Sequence, residues 1–246
     1  MPRDLPNSRV TVVPASDLAR TVAGWMAEHI ASAVAERGSC VVALSGGKTP
    51  RPVYEALAAP PLSGTVDWAR VEVYFGDERA VPPDHADSNF RMASEALLAR
   101  VALLPGHVHP MPADRPDRDA AAREYERVLP PRLDVLLLGM GPDGHTASLF
   151  PGSPALAERR RRVVPVTAPI EPARRMTITP PVIAEARHVA VVVSGAEKAA
   201  MVARALSANA DPAEVPAHLA AGAHWFLDEE AAARLGRRGD PEVSTR

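Results

Sequence analysis

The sequence has few of the residues that characterise disulfide-bonded, secreted or membrane proteins. Its 246 residues contain one cysteine, Cys40, so no internal disulfide can form and a disulfide scaffold is excluded. No apolar run approaches the roughly 20 residues that cross a bilayer. The first ten residues also lack the apolar segment of a secretory signal. We therefore expect a cytoplasmic protein with no membrane partner, in which Cys40 is a buried thiol.

The sequence also has no large excess of charge of either sign: it contains 28 basic and 30 acidic residues, and the formal net charge is −2. A balanced chain has no general field that attracts nucleic acid, so we expect no such partner and only a local anion site. Lysine itself is scarce. Only Lys48 and Lys198 interrupt a basic complement that is otherwise arginine, which marks both as candidate site residues.

What the sequence does contain is an alternation of short apolar segments and helical patterns along its whole length. This alternation predicts an α/β fold in which helices cover both faces of a mainly parallel sheet. We expect one domain over 1–246, with a polar tail at 236–246 that frays. The predicted strands are 10–13, 40–44, 71–75, 133–138, 163–166 and 189–193. The predicted helices are one from Ser16, as its cap, to Gly38, and others at 50–58, 87–99, 117–128, 195–206 and 228–234.

Ligands bind at the carboxyl ends of strands in open α/β sheets, so the residues that follow each predicted strand are the most informative. Ser45, Gly46, Gly47 and Lys48 lie between the strand at 40–44 and a helix that Thr49 is expected to cap. Glycine N–H groups at the positive end of a helix bind phosphate, and Lys48 would add charge. The alternative is a tight turn without a ligand.

Charged residues follow the next strand. Asp77 and Arg79 come after 71–75, where a carboxylate can hold a sugar and an arginine can bind an anion. Taken alone, such residues are more often solvated. Arg175 and Lys198 belong to a further group. Ser194 and Glu197 fit a capping box, which places Lys198 in a first helical turn, where an anion would offset the repulsion from the helix dipole. A solvated lysine is the alternative.

A glycine-rich segment, Gly139 to Thr146, follows the strand at 133–138. Its spacing fits the Gly-x-Gly-x-x-Gly dinucleotide fingerprint, but the strand at 163–166 ends without the acidic residue that holds a ribose. His145 instead lies where a general base belongs, with Asp143 nearby; a structural histidine is the alternative. His107 and His109 lack a third ligand, so we expect no metal site.

Four segments together resemble the 6-phosphogluconolactonases of the glucosamine-6-phosphate isomerase/6-phosphogluconolactonase family. They are 44–50 (LSGGKTP), 75–79 (FGDER), 88–89 (SN) and 139–151 (GMGPDGHTASLFP). The resemblance implies a three-layer α/β/α fold with a Rossmann-like sheet, of the type shared by glucosamine-6-phosphate deaminase, ribose-5-phosphate isomerase and CoA transferases. It also implies that no cofactor is needed. We expect a monomer or a small homo-oligomer.

The activity implied by this resemblance is hydrolysis of 6-phospho-D-glucono-1,5-lactone, the second step of the oxidative pentose phosphate pathway. His145 would activate water, Asp143 would help to orient the loop or the imidazole, and Arg79 would stabilise the carbonyl oxygen or bind the sugar. The phosphate would rest on the N–H groups of the 45–47 turn. The expected catalytic residues are His145, Arg79 and Asp143, and the expected substrate-binding residues are Ser45, Gly46, Gly47, Lys48, Asp77, Arg79, Arg175 and Lys198.

Two alternatives share the fold. One is a sugar-phosphate isomerase or deaminase, which is disfavoured because Phe150 stands where the deaminase pattern has a glutamate. The other is a sugar-phosphate-binding regulatory domain without catalysis. It is disfavoured because only about nine residues precede the first predicted strand and no basic recognition helix is present.

Overall fold

The computed structural model describes residues 9–236, so nearly all of the tail expected to fray lies outside the described residues. Within them the strands are β1 (Arg9–Val13), β2 (Cys40–Leu44), β3 (Val71–Phe75), β4 (Asp77–Arg79), β5 (Val135–Gly139), β6 (Val163–Thr167), β7 (Arg174–Ile178), β8 (His188–Val193) and β9 (His224–Asp228). The α-helices are α1 (Ala15–Arg37), α2 (Pro50–Leu57), α3 (Asn89–Ala96), α4 (Arg118–Val128), α5 (Pro180–Glu185) and α6 (Ala199–Ala205).

Six of these strands form one sheet, in the order β1-β9-β8-β5-β2-β3, and every neighbouring pair in it is parallel. Helices flank the sheet, so the predicted three-layer α/β fold is confirmed. The centre is apolar throughout: Leu136, Leu137 and Leu138 of β5 are fully buried. Burial on both faces is why these strands read as continuous apolar runs in the sequence. No helix of residues 9–236 is both long and apolar enough to cross a membrane.

The first helix shows how local sequence sets an element's limits. Leu18, Val22, Met26 and Ile30 recur at helical spacing and are all buried. The helix ends at Gly38, which adopts φ +79 and donates its N–H to the carbonyl of Val34 at 2.8 Å. The prediction of Ser16 as the cap is wrong, because the helix already begins at Ala15 after Pro14.

A second sheet, antiparallel in the order β4-β7-β6, was not predicted. The strand predicted at 163–166 exists as β6, but it pairs with β7 in this small sheet and is not part of the parallel core. Gly76 joins the two sheets. Its N–H donates to the carbonyl of Leu44 in the large sheet, and its carbonyl accepts from Ile178 in the small one, both at 2.8 Å.

Three further helix predictions differ from the structure. The helix predicted at 228–234 does not form, because Asp228 is the last residue of β9 and residues 229–234 form turns. The capping box at Ser194 does not form, because its hydroxyl donates to the Asp228 carboxylate at 2.5 Å. A 3-10 turn, Ala196–Lys198, therefore precedes α6. Thr49 does precede α2, but its side chain makes no capping hydrogen bond.

Candidate active site

The loops at the carboxyl ends of β2, β5 and β8 enclose one pocket together with residues of the small sheet. The cavity has a volume of about 260 Å³, near the lower end of the size range of small-molecule sites. Of the predicted site residues, the structure brings together in the pocket lining Ser45, Gly46, Gly47, Lys48, Asp77, Arg79, His145, Arg175 and Lys198. Asp143 does not line the pocket but contacts the His145 ring. Residues separated by more than 150 positions in the chain thus meet at one edge of the sheet.

The glycine turn after β2 offers fewer amide groups than the sequence suggested. The Ser45 N–H donates to the Tyr54 hydroxyl at 2.9 Å, and that hydroxyl donates back to the Ser45 carbonyl at 2.7 Å. The Ser45 amide is therefore not available to a phosphate, contrary to the sequence-based expectation. The N–H groups of Gly46 and Gly47 make no hydrogen bond to any described residue.

Both glycines of this turn are required by their surroundings. A Cβ on Gly46 would lie 1.8 Å from Oδ1 of Asn89, so the Asn89 side chain packs directly on the Gly46 backbone. Gly47 has φ +110, in the region that favours glycine. A side chain at Gly46 would therefore displace Asn89, and one at Gly47 would strain the turn.

Two arginines face each other across the small sheet. Arg79 of β4 is the register partner of Arg175 of β7, and like charges directly opposite destabilise an antiparallel pair. Arg175 is 3% exposed, and burial lowers the pKa of its guanidinium. The Arg79 Nε is buried without a hydrogen-bond partner, although its Nη1 donates to the Asp87 carbonyl at 2.6 Å. A bound anion would relieve both the repulsion and the missing partner.

The two lysines lie at the same pocket with different exposure. Lys48 is exposed, whereas Lys198 is partly buried, and burial lowers the pKa of its amine despite the opposing charges of Glu197 and Asp228. Within residues 9–236, no carboxylate lies within ion-pair distance of either lysine. Together with the arginines, they give the pocket an excess of positive charge.

His145 is held from three sides. Its Nδ1 lies 2.5 Å from Oδ1 of Asp143, and its backbone N–H donates to the same oxygen at 3.2 Å. The Phe150 ring packs against the imidazole with ring centroids 4.4 Å apart. A Cβ on Gly141 would lie 2.1 Å from the ring atom Cε1, so only glycine leaves room for the imidazole.

The hydrogen bonds at Asp143 also fix which nitrogen of His145 is basic. Burial raises the pKa of the Asp143 carboxyl, but the hydrogen bonds and charge of His145 outweigh it and hold the pKa below its usual range. An ionised carboxylate accepts the Nδ1 proton, which leaves the lone pair of the neutral ring on Nε2. This arrangement is the one that a general base needs.

The adjacent carboxylates of β4 have different environments. Asp77 lines the pocket, with Oδ2 accepting from the Ser148 hydroxyl at 2.6 Å and Oδ1 from the Asn89 side chain at 3.2 Å. Glu78 does not line the pocket. It accepts the N–H groups of Asn89 and Phe90 at the start of α3, each at 2.8 Å. Burial raises the pKa of Glu78, and these hydrogen bonds oppose the increase.

Sequence reasoning did not assign a role to four residues that build the site: Tyr54, Asn89, Ser148 and Phe150. Asn89, Ser148 and Phe150 lie within the segments that carry the family resemblance, so a signal was present. Their contacts to Asp77, Gly46 and His145 depend on the fold and are not readable from spacing.

Comparison with known proteins gives consistent results. The model of a family described as glucosamine-6-phosphate isomerases/6-phosphogluconolactonase matches residues 14–227. A 6-phosphogluconolactonase of Mycobacterium tuberculosis is 41% identical over 247 residues, covering 93% of this chain and 99% of that protein. One from Synechocystis is also 41% identical, over 84% of this chain and 89% of that protein.

Solved structures agree with these matches. A 6-phosphogluconolactonase from Trypanosoma brucei superimposes with a TM-score of 0.80 at 31% identity, covering 94% of this chain and 99% of that one. The enzyme of that name from Trypanosoma cruzi gives 0.82 at 28% identity, over 93% and 97%. A monomeric glucosamine-6-phosphate deaminase gives 0.81 at 21% identity, over 92% and 99%, which is a likeness of fold alone.

Proposed function

The chain belongs to the glucosamine-6-phosphate isomerase/6-phosphogluconolactonase family, and on that premise we propose that it hydrolyses 6-phospho-D-glucono-1,5-lactone to 6-phospho-D-gluconate. The observation that carries the proposal is the pairing of His145 with Asp143 in the same pocket as Arg79, Arg175 and Lys198. A base thus lies beside a site for a doubly charged group. Hydrolysis of a phosphorylated sugar lactone needs both.

The phosphate is bound at the positively charged part of the pocket. Arg175 and Lys198 are cations without a carboxylate partner among the described residues, and the free N–H groups of Gly46 and Gly47 precede α2. Arginine binds phosphate oxygens in bidentate fashion, and backbone N–H groups add directional donors. Lys48, at the exposed rim, attracts the anion without being needed to hold it.

His145 supplies the base. Its Nε2 takes a proton from a water molecule as the water oxygen forms a bond to C1 of the lactone. The bond from C1 to the ring oxygen then breaks, and the proton passes from His145 to that oxygen, so that the ring opens to the acid. General base catalysis of this kind contributes about 10²–10⁴-fold in rate. Asp143 keeps the ring in the required tautomer through Nδ1.

Arg79 stabilises the negative charge that develops during the reaction. Its buried Nε–H has no partner within the described protein, so it is a donor already desolvated and fixed in place. Donors of this kind stabilise the oxygen anion of a tetrahedral intermediate without reorganisation. We place Arg79 at the carbonyl oxygen or at the phosphate beside Arg175.

An isomerase or deaminase reaction of the same fold is less well supported. Such reactions move a proton between carbon atoms, and the deaminase pattern supports its histidine with a glutamate at the position of Phe150. The space beside His145 is filled by the apolar ring of Phe150, which is 3% exposed. Lactone hydrolysis needs one base and one water, and this pocket offers that set.

The test is a coupled assay in which 6-phosphogluconate dehydrogenase reports product formed from freshly prepared lactone. Spontaneous hydrolysis is subtracted. We expect catalysed turnover in the wild-type protein and a decrease of kcat by about 10²–10⁴-fold in His145→Ala. His188→Ala is the matched control, because His188 lies at the amino end of β8, away from the pocket.

Two results would contradict the proposal at different levels. A wild-type rate equal to the spontaneous one refutes the lactonase activity and favours a binding domain. A wild-type enzyme that is active, with kcat of His145→Ala within about threefold of it, keeps the activity and removes His145 as the base.

A further inference from the structure

On one face of the small sheet, a carboxylate lies next to the two arginines but forms no ion pair with either among the described residues. Side chains alternate between faces along a strand, so Asp77 and Arg79 of β4 share a face with Thr177 and Arg175 of β7. Asp77 is directly opposite Thr177 and diagonal to Arg175. A diagonal neighbour is within reach of a long side chain such as arginine.

The charge of Asp77 does act on Arg175, since it raises the pKa of that guanidinium against the larger effect of burial. Nevertheless, among residues 9–236 neither Arg175 nor Arg79 has a carboxylate oxygen within 4 Å. The buried Arg175, the partly buried Arg79 and the buried Asp77 thus lie close together without forming an ion pair.

The hydrogen bonds of Asp77 explain this. Its Oδ2 accepts from the Ser148 hydroxyl at 2.6 Å, and its Oδ1 accepts from Asn89 Nδ2 at 3.2 Å. Ser148 is itself fixed on the sheet, because its backbone N–H donates to Oγ1 of Thr177 at 3.1 Å. Ser148 therefore bridges β4 and β7, and it is fully buried.

We propose that Ser148 is a positioning residue whose hydroxyl holds the Asp77 carboxylate away from Arg79 and Arg175, and so keeps both arginines free for the anionic group of the substrate. Without the hydroxyl, Oδ2 of Asp77 is a buried acceptor with no donor, which is an unfavourable state. The guanidinium groups of the same sheet face become its nearest donors. An ion pair formed there has to be broken before a phosphate can bind.

This inference rests on the proposed function for its substrate, but it is tested by anion binding in the absence of substrate. In Ser148→Ala, we expect KM for the lactone and the dissociation constant for inorganic phosphate, measured by calorimetry, to rise together by about tenfold. We expect kcat to stay within about threefold of the wild-type value, because the His145–Asp143 pair is not touched.

Ser153→Ala is the matched control. Ser153 lies in the same segment, and its hydroxyl accepts a hydrogen bond from the Ala155 N–H, but it does not line the pocket. Both constants should be unchanged in this variant. If Ser148→Ala does not fold, as judged by circular dichroism, Ser148→Cys keeps the size and a weak donor, and an intermediate loss of phosphate affinity is expected.

A double-mutant cycle separates positioning from a general structural role. Asp77→Asn removes the charge that could neutralise an arginine. In that background, Ser148→Ala should change the phosphate dissociation constant by less than about twofold. An equal loss of phosphate affinity in both backgrounds would show that the hydroxyl does not act through Asp77 and would overturn the proposal.

The remaining outcomes are also distinct. A wild-type protein that binds phosphate but has no lactonase activity refutes the proposed function, while the comparison of phosphate affinities still decides the role of Ser148. An active lactonase whose Ser148→Ala variant keeps its KM and its phosphate affinity refutes the role of Ser148 alone.

Discussion

At the scale of single residues, the hydrogen bond between Asp143 and His145 sets the pH range in which the site is assembled. The pKa of Asp143 is lowered in the folded protein, so its carboxylate contributes stability above the ordinary value of about 3.9. That contribution is lost as the pH falls through the lowered folded value. The pair is therefore intact throughout the neutral range.

Asp143→Asn tests whether this carboxylate selects the tautomer of His145. An amide N–H placed at Nδ1 favours the ring with its proton on Nε2, which cannot accept a proton from water. We expect kcat to fall by at least about tenfold, and by no more than the loss in His145→Ala, with KM little changed. Steady-state assays check this, with the exposed Asp211→Asn as the control. Equal kcat values for Asp143→Asn and the wild-type protein would contradict it.

Which site residues can be found from sequence depends on how they reach the pocket. His145 and Arg79 lie just after predicted strands, so their positions follow from the rule that ligands bind at strand ends. Ser148 reaches Asp77 across 71 positions of sequence, and no local pattern signals this contact. The hydrogen bond from the Ser45 N–H to the Tyr54 hydroxyl is likewise not signalled by any local sequence pattern.

At the scale of elements, α3 depends on a side chain from the strand before it. The Glu78 carboxylate accepts the N–H groups of Asn89 and Phe90 and the hydroxyl of Ser88, at the helix end where N–H groups lack helical partners. It is 4% exposed. The start of α3, which carries Asn89 into the pocket, is thereby fixed to β4.

Glu78→Gln should therefore lower the free energy of unfolding by about 1–3 kcal/mol, because an amide NH₂ replaces one acceptor and leaves a buried N–H group unsatisfied. Equilibrium denaturation measures this effect. Glu55→Gln on α2 is the control, since its ion pair with Arg51 is largely solvent-exposed and should change stability by less than about 1 kcal/mol. Similar losses in the two variants would contradict the role of Glu78.

Some strands can be predicted from the sequence and others cannot, and the difference has physical reasons. The strands at 40–44 and 71–75 are buried on both faces, and their apolar runs identify them. The run at 163–166 was assigned to the wrong sheet, because apolar character does not encode the direction of a partner strand. β7 was missed because it begins with two charged residues, Arg174 and Arg175, which conceal the strand.

At the scale of the whole molecule, Cys40 reports on the integrity of the core. It begins β2, inside the large sheet, and is fully buried, and burial raises the pKa of its thiol to about 12. The thiolate, which is the reactive form, is thus disfavoured in the folded protein. Access to this thiol requires that the sheet open.

We expect Cys40 to be unreactive toward Ellman's reagent at pH 8 in native conditions and to react fully in denaturant. At low denaturant concentrations, the labelling rate should follow the free energy of unfolding measured by circular dichroism. The denatured protein is the control for reagent and thiol. Native-state labelling as fast as that of the denatured chain would show that the sheet opens locally at β2.

The pairing of the first and last strands of the large sheet constrains how the protein is made. Among residues 9–236, β1 forms the edge of that sheet and pairs only with β9, with Arg9 opposite His224. Contacts between such distant residues form slowly, and during synthesis they cannot form at all until the ribosome has released β9. Until then β1 lacks the strand it pairs with in the described structure, and its backbone N–H and C=O groups stay unpaired in the nascent chain.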